Sequence, residues 1–403
     1  MEISQFEVDV SKLDFILRDK LNGYLSKLVE GGGSDLHIKS GGYIYGRFNG
    51  EIRQMNTEIM SQADSITLAK ELLRSRFKEL VDMKNIDFTH KLNDDYRFRV
   101  NIFFQMEGVS AVFRTIPTKI PNFEELYLPP IIEKICDTVN RGIILVTGPT
   151  GSGKTTTLAS MINRMNAQKK RHIITIEDPI EYVYTDQKSI VNQRAIGQDA
   201  SGFSDALRAS LREDPDVILV GEMRDLETVK TAMAAAETGH LVLSTLHTLD
   251  AKETVGRVIN MFPKEEQNRI KMTFASVVEA IISQRLVRTL QNTRRPAVEV
   301  MIKNVRIKNM IMDGREGEIY DAIEQSKNTY GMQTFDQHLL ELYNEEIIDL
   351  EEALEKSSKR NNLEIKIKNA NLAKEGMLDL ASGEEDYTER LKRDVIALKD
   401  LDS

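Results

Sequence analysis

The stretch "GPTGSGKT", Gly148 to Thr155, decides the fold. It matches the phosphate-loop pattern at every position. An apolar run, "GIILV" from Gly142 to Val146, precedes it, and a run rich in Thr, Leu, Ala and Met follows, so the context is strand, loop, helix. Gly148, Gly151 and Gly153 let the backbone curl until successive N–H groups face phosphate oxygens. The helix N-terminus adds its partial positive charge. Lys154 reaches the β- and γ-phosphates, and the Thr155 hydroxyl ligates magnesium. With Pro149, Thr150, Ser152 and Thr156 these residues form the expected nucleotide-binding set, and ATP with Mg2+ is the expected ligand.

Outward from the loop, residues 129–282 alternate strand and helix: "GIILVTG", "HIITIEDP", "DVILVGE" and "HLVLSTLH" separated by helical runs. Buried apolar strands alternating with helices imply a largely parallel sheet covered on both faces. Strand C-terminal ends in such sheets lie at the phosphate edge. Three acidic or histidine-bearing ends become candidates there. "ITIEDPIEY" clusters Glu177, Asp178 and Glu181, and a carboxylate in it can orient or deprotonate the attacking water. "DPDVILVGEMRD" ends in Gly221-Glu222, where such strands usually close with Asp for the magnesium shell, so Glu222 is the candidate replacement. "GHLVLSTLHT" has His240 and His247 at its two ends. His240 reads equally as a structural hydrogen-bonding residue; His247 follows the strand end, where a γ-phosphate could be sensed.

N-terminal to this core, residues 1–116 read as an α+β domain. Helical spacing of Leu13, Ile16, Leu17 and Leu21 is stopped by "VEGGGSD". Short alternating runs follow between Asp35 and Arg53, with Asn49-Gly50 as a hairpin turn. Residues 60–82 read as one helix capped by Ser61. "DYRFRVNIFFQMEGVSAVFRTIP" reads as two strands. Residues 117–128 begin "PTKIPNFEELYLPP", a segment with four of the chain's nine prolines; it is the expected linker and hinge. Residues 129–348 form the expected ATPase domain, with 277–345 helical. Residues 349–403 read as a charged, partly disordered tail, with "LEIKIK" a short alternating run and "DYTERLKRDVIALKD" a weak amphipathic helix.

Composition narrows the function. The chain has 403 residues, a formal net charge of −9 and one cysteine, Cys136. One cysteine excludes an internal disulfide and a four-cysteine zinc module. The acidic balance argues against bulk nucleic-acid binding, which leaves a basic footprint. The N-terminal residues carry no secretory signal, and the apolar runs are strand-sized, so a reducing cytoplasm is the expected compartment.

Taken in order, "GPTGSGKT", "IEDPIEY", "LREDPDVILVGEMRD" and "TGHLVLSTLHT" resemble the Walker A, Asp box, Walker B and His box of the motor ATPases of type II secretion and type IV pili. "SDLHIKSGG", "FRVNIFFQ", "VFRTIP" and "GMQTFDQHL" are also similar to that family, and "GEMRDLETV" with "AAETGH" points to its PilT, or pilus retraction, branch. The resemblance implies a RecA-like P-loop core, a smaller PAS-like α+β N-terminal domain and a helical C-terminal region. It implies Glu181 as catalytic glutamate, Glu222 as the magnesium-side acid, His240 and His247 as His-box histidines, and Arg99 and Arg114 as arginines reaching toward nucleotide. By strand pattern alone, Arg99 reads as an exposed strand residue.

The same resemblance implies a homohexamer that powers pilus retraction from the cytoplasmic face of the inner membrane. Its implied partners are a membrane platform protein and a paralogous retraction ATPase. "RIKNMIMD", Arg306 to Asp313, departs from the branch's usual motif, with Met312 in place of its second arginine, and the long tail resembles PilU-type accessory motors. Principal and accessory retraction motors therefore both stand at this point, with an assembly or secretion ATPase behind them. A nucleic-acid translocase on the same core and a nucleotide-gated scaffold with little turnover are the rivals from other classes.

Overall fold

The computed structural model describes residues 13–374 apart from 49, 94, 107, 117 and 118. The N-terminal half opens with helix α1 (Ile16–Glu30), which buries Leu21, Leu25 and Leu28. It runs on to the glycine stop, with Gly31 as its C-cap. Strands β1 (Gly33–Ile38), β2 (Ile44–Phe48) and β3 (Glu51–Gln54) follow as antiparallel neighbours. The span 60–82 is not one helix. It breaks at Arg74, whose φ of 52° is left-handed, into α2 (Gln62–Leu73), capped by Ser61 accepting from the Asp64 N–H, and α3 (Phe77–Met83). A strand not foreseen from sequence, β4 (Asn85–Lys91), precedes β5 (Arg97–Gln105) and β6 (Gly108–Ile116). The six strands form one antiparallel sheet in the order β3-β2-β1-β6-β5-β4, with the helices packed on one core.

The second sheet carries the phosphate loop. After α4 (Pro130–Thr138) come β7 (Gly142–Thr147), α5 (Lys154–Gln168), β8 (His172–Glu177) and β9 (Ile190–Ala195). Then α6 (Phe203–Ser210), β10 (Val217–Val220), α7 (Leu226–Glu237), β11 (Leu241–Leu246), α8 (Ala251–Asn260) and α9 (Lys264–Val277) alternate. Two further strands, β12 (Val278–Arg288) and β13 (Arg294–Ile302), complete the order β13-β12-β7-β11-β10-β8-β9. All pairings are parallel except β12 with β13. Every residue of β7, β10 and β11 is buried, as a sheet covered on both faces requires. Ile143 and Leu145 face one core, Ile144 and Val146 the other.

Residues 278–302 correct the helical expectation for 277–345. They are a hairpin whose β12 docks in parallel on β7 and so places its residues against the phosphate loop. The helices begin after it: α10 (Val305–Asp313), α11 (Ile319–Gln325), α12 (Lys327–Tyr330) and α13 (Phe335–Asn344). Beyond them, α14 (Leu350–Glu355) and α15 (Arg360–Lys374) make the tail, expected to be partly disordered, helical through residue 374. Leu363 and Ile367 of "LEIKIK" are buried beside Leu339 and Leu342, so the run is helical. The "DYTERLKRDVIALKD" segment lies outside the described residues. In the expected linker, Phe123 and Leu128 belong to the ATPase-side core, and Ser160 Oγ of α5 donates to the Pro121 carbonyl at 2.7 Å. Residues 121–128 are thus fixed to the second sheet. No described helix is long and apolar enough to cross a membrane.

Candidate active site

The loop after β7 is shaped by its glycines. Gly148 holds φ at 144°, and a Cβ there would strike the Gln284 carbonyl oxygen of β12. Gly153, at φ 92°, caps α5 and aims its first turn into the loop. Lys154 is buried, and its ammonium donates to the carbonyls of Gly148 at 2.9 Å and Pro149 at 3.0 Å. Burial pulls its pKa down, opposed by the carboxylates of Glu222 and Glu181. Ser152 Oγ is buried with no hydrogen-bond partner among the described residues, an acceptor-seeking group inside the loop. Thr156 Oγ1 contacts the Tyr182 hydroxyl at 3.2 Å, which joins the loop helix to the segment after β8.

One cavity of about 630 Å³ gathers the candidates. It is lined by the loop residues Thr150, Gly151 and Gly153–Thr156, by Glu177 at the end of β8, by Asp178 and Glu181 after it, by Glu222 and His247, and by Arg99 from the other sheet. Glu222 is mostly buried. Its Oε2 lies 2.8 Å from Arg224 Nε and its Oε1 3.3 Å from His247 Nε2. Burial pushes the Glu222 carboxyl up, but the Arg224 hydrogen bond and the charge of His247 outweigh that and hold it below the usual range. Glu177 is buried with Thr175 Oγ1 donating to it at 2.7 Å and the Glu181 N–H at 3.4 Å. Burial raises its pKa, with those hydrogen bonds opposing. Glu177 therefore fixes the backbone from which the exposed Glu181 reaches the cavity.

Two candidates stand elsewhere. His240 precedes β11 at the opposite sheet edge, roughly 20 Å from the loop at about 3.3 Å per strand residue. Its Nδ1 lies 2.9 Å from the Ala235 carbonyl and 3.1 Å from Thr238 Oγ1, which ties it to the end of α7. The structural alternative holds for it within one chain. Arg114 pairs across the strands with Arg99, but its Nε is bound to the buried Asp35 at 2.8 Å, and it does not line the cavity. An arginine absent from the sequence candidates, Arg224, does line it; its position two residues after Glu222, on the same side of an extended segment, was the available sign.

Magnesium fits this site as a cation carried with nucleotide. Thr155 and Glu222 offer one hydroxyl and one carboxylate, both hard oxygen donors, on the same cavity wall. Magnesium commonly takes one or two such groups plus phosphates and waters. Among the described residues, no group of three or more His, Cys, Asp or Glu could hold a metal without phosphate help.

The family model for type II/IV secretion system proteins matches residues 11–382. The chain belongs to the type II/IV secretion system protein family. This secretion-system protein is 43% identical over 327 residues to the type IV pilus retraction ATPase PilT of Pseudomonas aeruginosa, covering 81% of this chain and 94% of that one. It is 38% identical over 346 residues to the type IV pilus ATPase PilU of the same organism, covering 85% and 90%. Among solved structures, the crystal structure of the pilus retraction motor PilT with bound ADP superposes with a TM-score of 0.79 at 42% identity, covering 85% of this chain and 98% of that one. The α/β fold with its helical C-terminal region is that of this family.

Proposed function

We propose that this secretion-system protein is an ATP-hydrolysing motor that drives type IV pilus retraction. One observation carries the reading: a single cavity joins the phosphate loop, four acidic side chains and His247 to Arg99 from a separate sheet. Lys154 and the loop N–H groups hold the β- and γ-phosphates. Thr155 and Glu222 would hold magnesium, which when bound neutralises phosphate charge. Glu181 orients the attacking water and takes its proton as oxygen bonds to the γ-phosphorus and the bond to the β-phosphate oxygen breaks. ADP and phosphate are the products. Arg99 approaches from the N-terminal sheet, where an arginine facing the transferred phosphoryl can be worth about 10³–10⁵ in rate. Arg114 does not share that role within one chain.

Because the cavity spans both sheets, filling it draws Arg99 toward the loop, and emptying it releases the N-terminal sheet. That motion is a stroke when copies close into a ring. The similarity to PilT supports a homohexamer acting at the cytoplasmic face of the inner membrane on a polytopic platform protein, with a paralogous motor as a second partner. The longer aligned stretch with PilU favours an accessory retraction role as the second reading.

The test uses purified protein. Phosphate release from ATP should fall by about 10²–10⁴ in Glu181→Ala and Glu222→Ala, the size expected for a catalytic carboxylate. ADP should still bind both variants. Hydrolysis at parent rates in both would overturn the assignment.

A further inference from the structure

Three consecutive residues of β12 touch three parts of the protein. Ser283 Oγ accepts from Thr147 Oγ1 at 2.9 Å, at the end of β7. Gln284 Nε2 donates to Thr157 Oγ1 of α5 at 3.0 Å, and its carbonyl backs Gly148 closely enough to exclude a Cβ. Arg285, on the opposite face of the strand, is largely buried. Its guanidinium lies 3.9 Å from the centroid of the Phe335 ring and donates to the Lys356 carbonyl at 2.5 Å.

Lys356 caps α14, and the docking of α15 follows at once. The N–H groups of Ser358 and Lys359 donate to the Asp336 carboxylate at 2.7 and 2.9 Å, and the Tyr320 hydroxyl donates to it at 2.7 Å. Asp336 is itself buried. Leu363 and Ile367 then seat the helix in the core beside Phe335 and Leu339. Glu299, diagonal to Arg285 on the same hairpin face, is buried and accepts from the Ala251 N–H at 2.9 Å. Ala251 opens α8, four residues after His247.

We propose that Arg285 is a positioning residue for nucleotide binding, coupling the seating of α15 to the phosphate loop through Gln284 and to the His247 segment through Glu299. A buried guanidinium is costly unless its partners are in place. Those partners are the Phe335 face, the Lys356 carbonyl and the nearby carboxyl groups of Asp250 and Asp336, with the Glu299 carboxyl diagonal to it. When α15 is seated, Arg285 holds β12 at one register, and Gln284 presses the same register onto Gly148 and α5. When α15 leaves, Arg285 loses the Lys356 carbonyl and β12 loses its brace. This inference rests on the nucleotide-binding reading of the loop and adds a control element to it.

The experiment uses the full chain with Arg285→Met, Arg285→Lys and Leu363→Asp. Amide exchange of α15 reports seating, titration with ADP reports the loop, and steady-state ATP hydrolysis separates KM from kcat. In Arg285→Met, α15 protection should fall and ADP should bind about tenfold more weakly, within the roughly 5–150-fold span of such couplings. KM should rise by a similar factor, with kcat changed by less than about threefold, the pattern of lost binding alone. Arg285→Lys should recover most of the affinity. Leu363→Asp loosens α15 through its own core contact with Arg285 intact and should weaken ADP by a similar factor, so it decides the matter if Arg285→Met does not fold. Loosened α15 with ADP affinity within about twofold of the parent would overturn the coupling, as would unchanged protection of α15 in Leu363→Asp. Failure of the parent chain to bind ADP would instead sink the nucleotide-binding reading, and the coupling with it.

Discussion

Gly148 shows how tightly a single residue can constrain the site. Its φ of 144° and the Gln284 carbonyl behind it leave no place for a methyl group. Alanine there would load the loop with about 1–3 kcal/mol of strain, so Gly148→Ala should bind ADP about 10–100-fold more weakly by calorimetric titration. Parent affinity would contradict that packing. At this scale the sequence was most legible where residue type and position are inseparable. The phosphate loop is such a case, and so is Glu222, which must lie at the sheet's phosphate edge because its strand ends there. His240 and Arg114 have chemistry suited to the site but not its position. One opens its strand instead of closing it, and the other is held by Asp35, a partner 79 residues away that no local pattern reveals. Arg224 was missed because its meaning depends on the 2.8 Å contact with Glu222.

Elements were legible where periodicity was clean and misread where burial erased it. Strands β7, β10 and β11 are largely apolar runs between turn signals, and they hold. The β12–β13 hairpin is buried on both faces, so its apolar residues fit helical spacing as readily as strand spacing. "LEIKIK" failed in the opposite sense: Leu363 and Ile367 face the core four residues apart, while Ile365 is 58% exposed. The same hairpin carries a pH signature. Burial pushes the Glu299 carboxyl up to about 8 from an ordinary 4.5, against the opposing Ala251 N–H. Below pH 4.5 folded and unfolded chains are both protonated there. Between 4.5 and 8 the folded chain keeps a proton that the unfolded chain sheds, so this site's stabilisation drains as pH rises, and above 8 the slope ends. Melting curves should therefore show Glu299→Gln gaining on the parent as pH rises through that window. A constant difference between them would contradict the buried, protonated acid.

At the scale of the molecule, two sheets of different construction meet at one cavity, and that meeting is what makes hydrolysis capable of moving something. The division into an α+β half, a proline-rich connection and an α/β half was visible in composition and period. The anchoring of residues 121–128 to the second sheet was not, because it depends on Phe123 and Leu128 entering a distant core. A ring of six 45.8 kDa chains should have a native mass near 275 kDa, with nucleotide present; a monomer or dimer at working concentration would leave the stroke without a frame. The central claim, that hydrolysis at this cavity retracts pili, is tested most directly by deleting the gene in its native host and scoring surface pili together with twitching. The expected result is abundant pili with twitching lost, restored by the parent gene but not by Glu222→Ala. Disappearance of the pili, or twitching that survives the deletion unchanged, would contradict it.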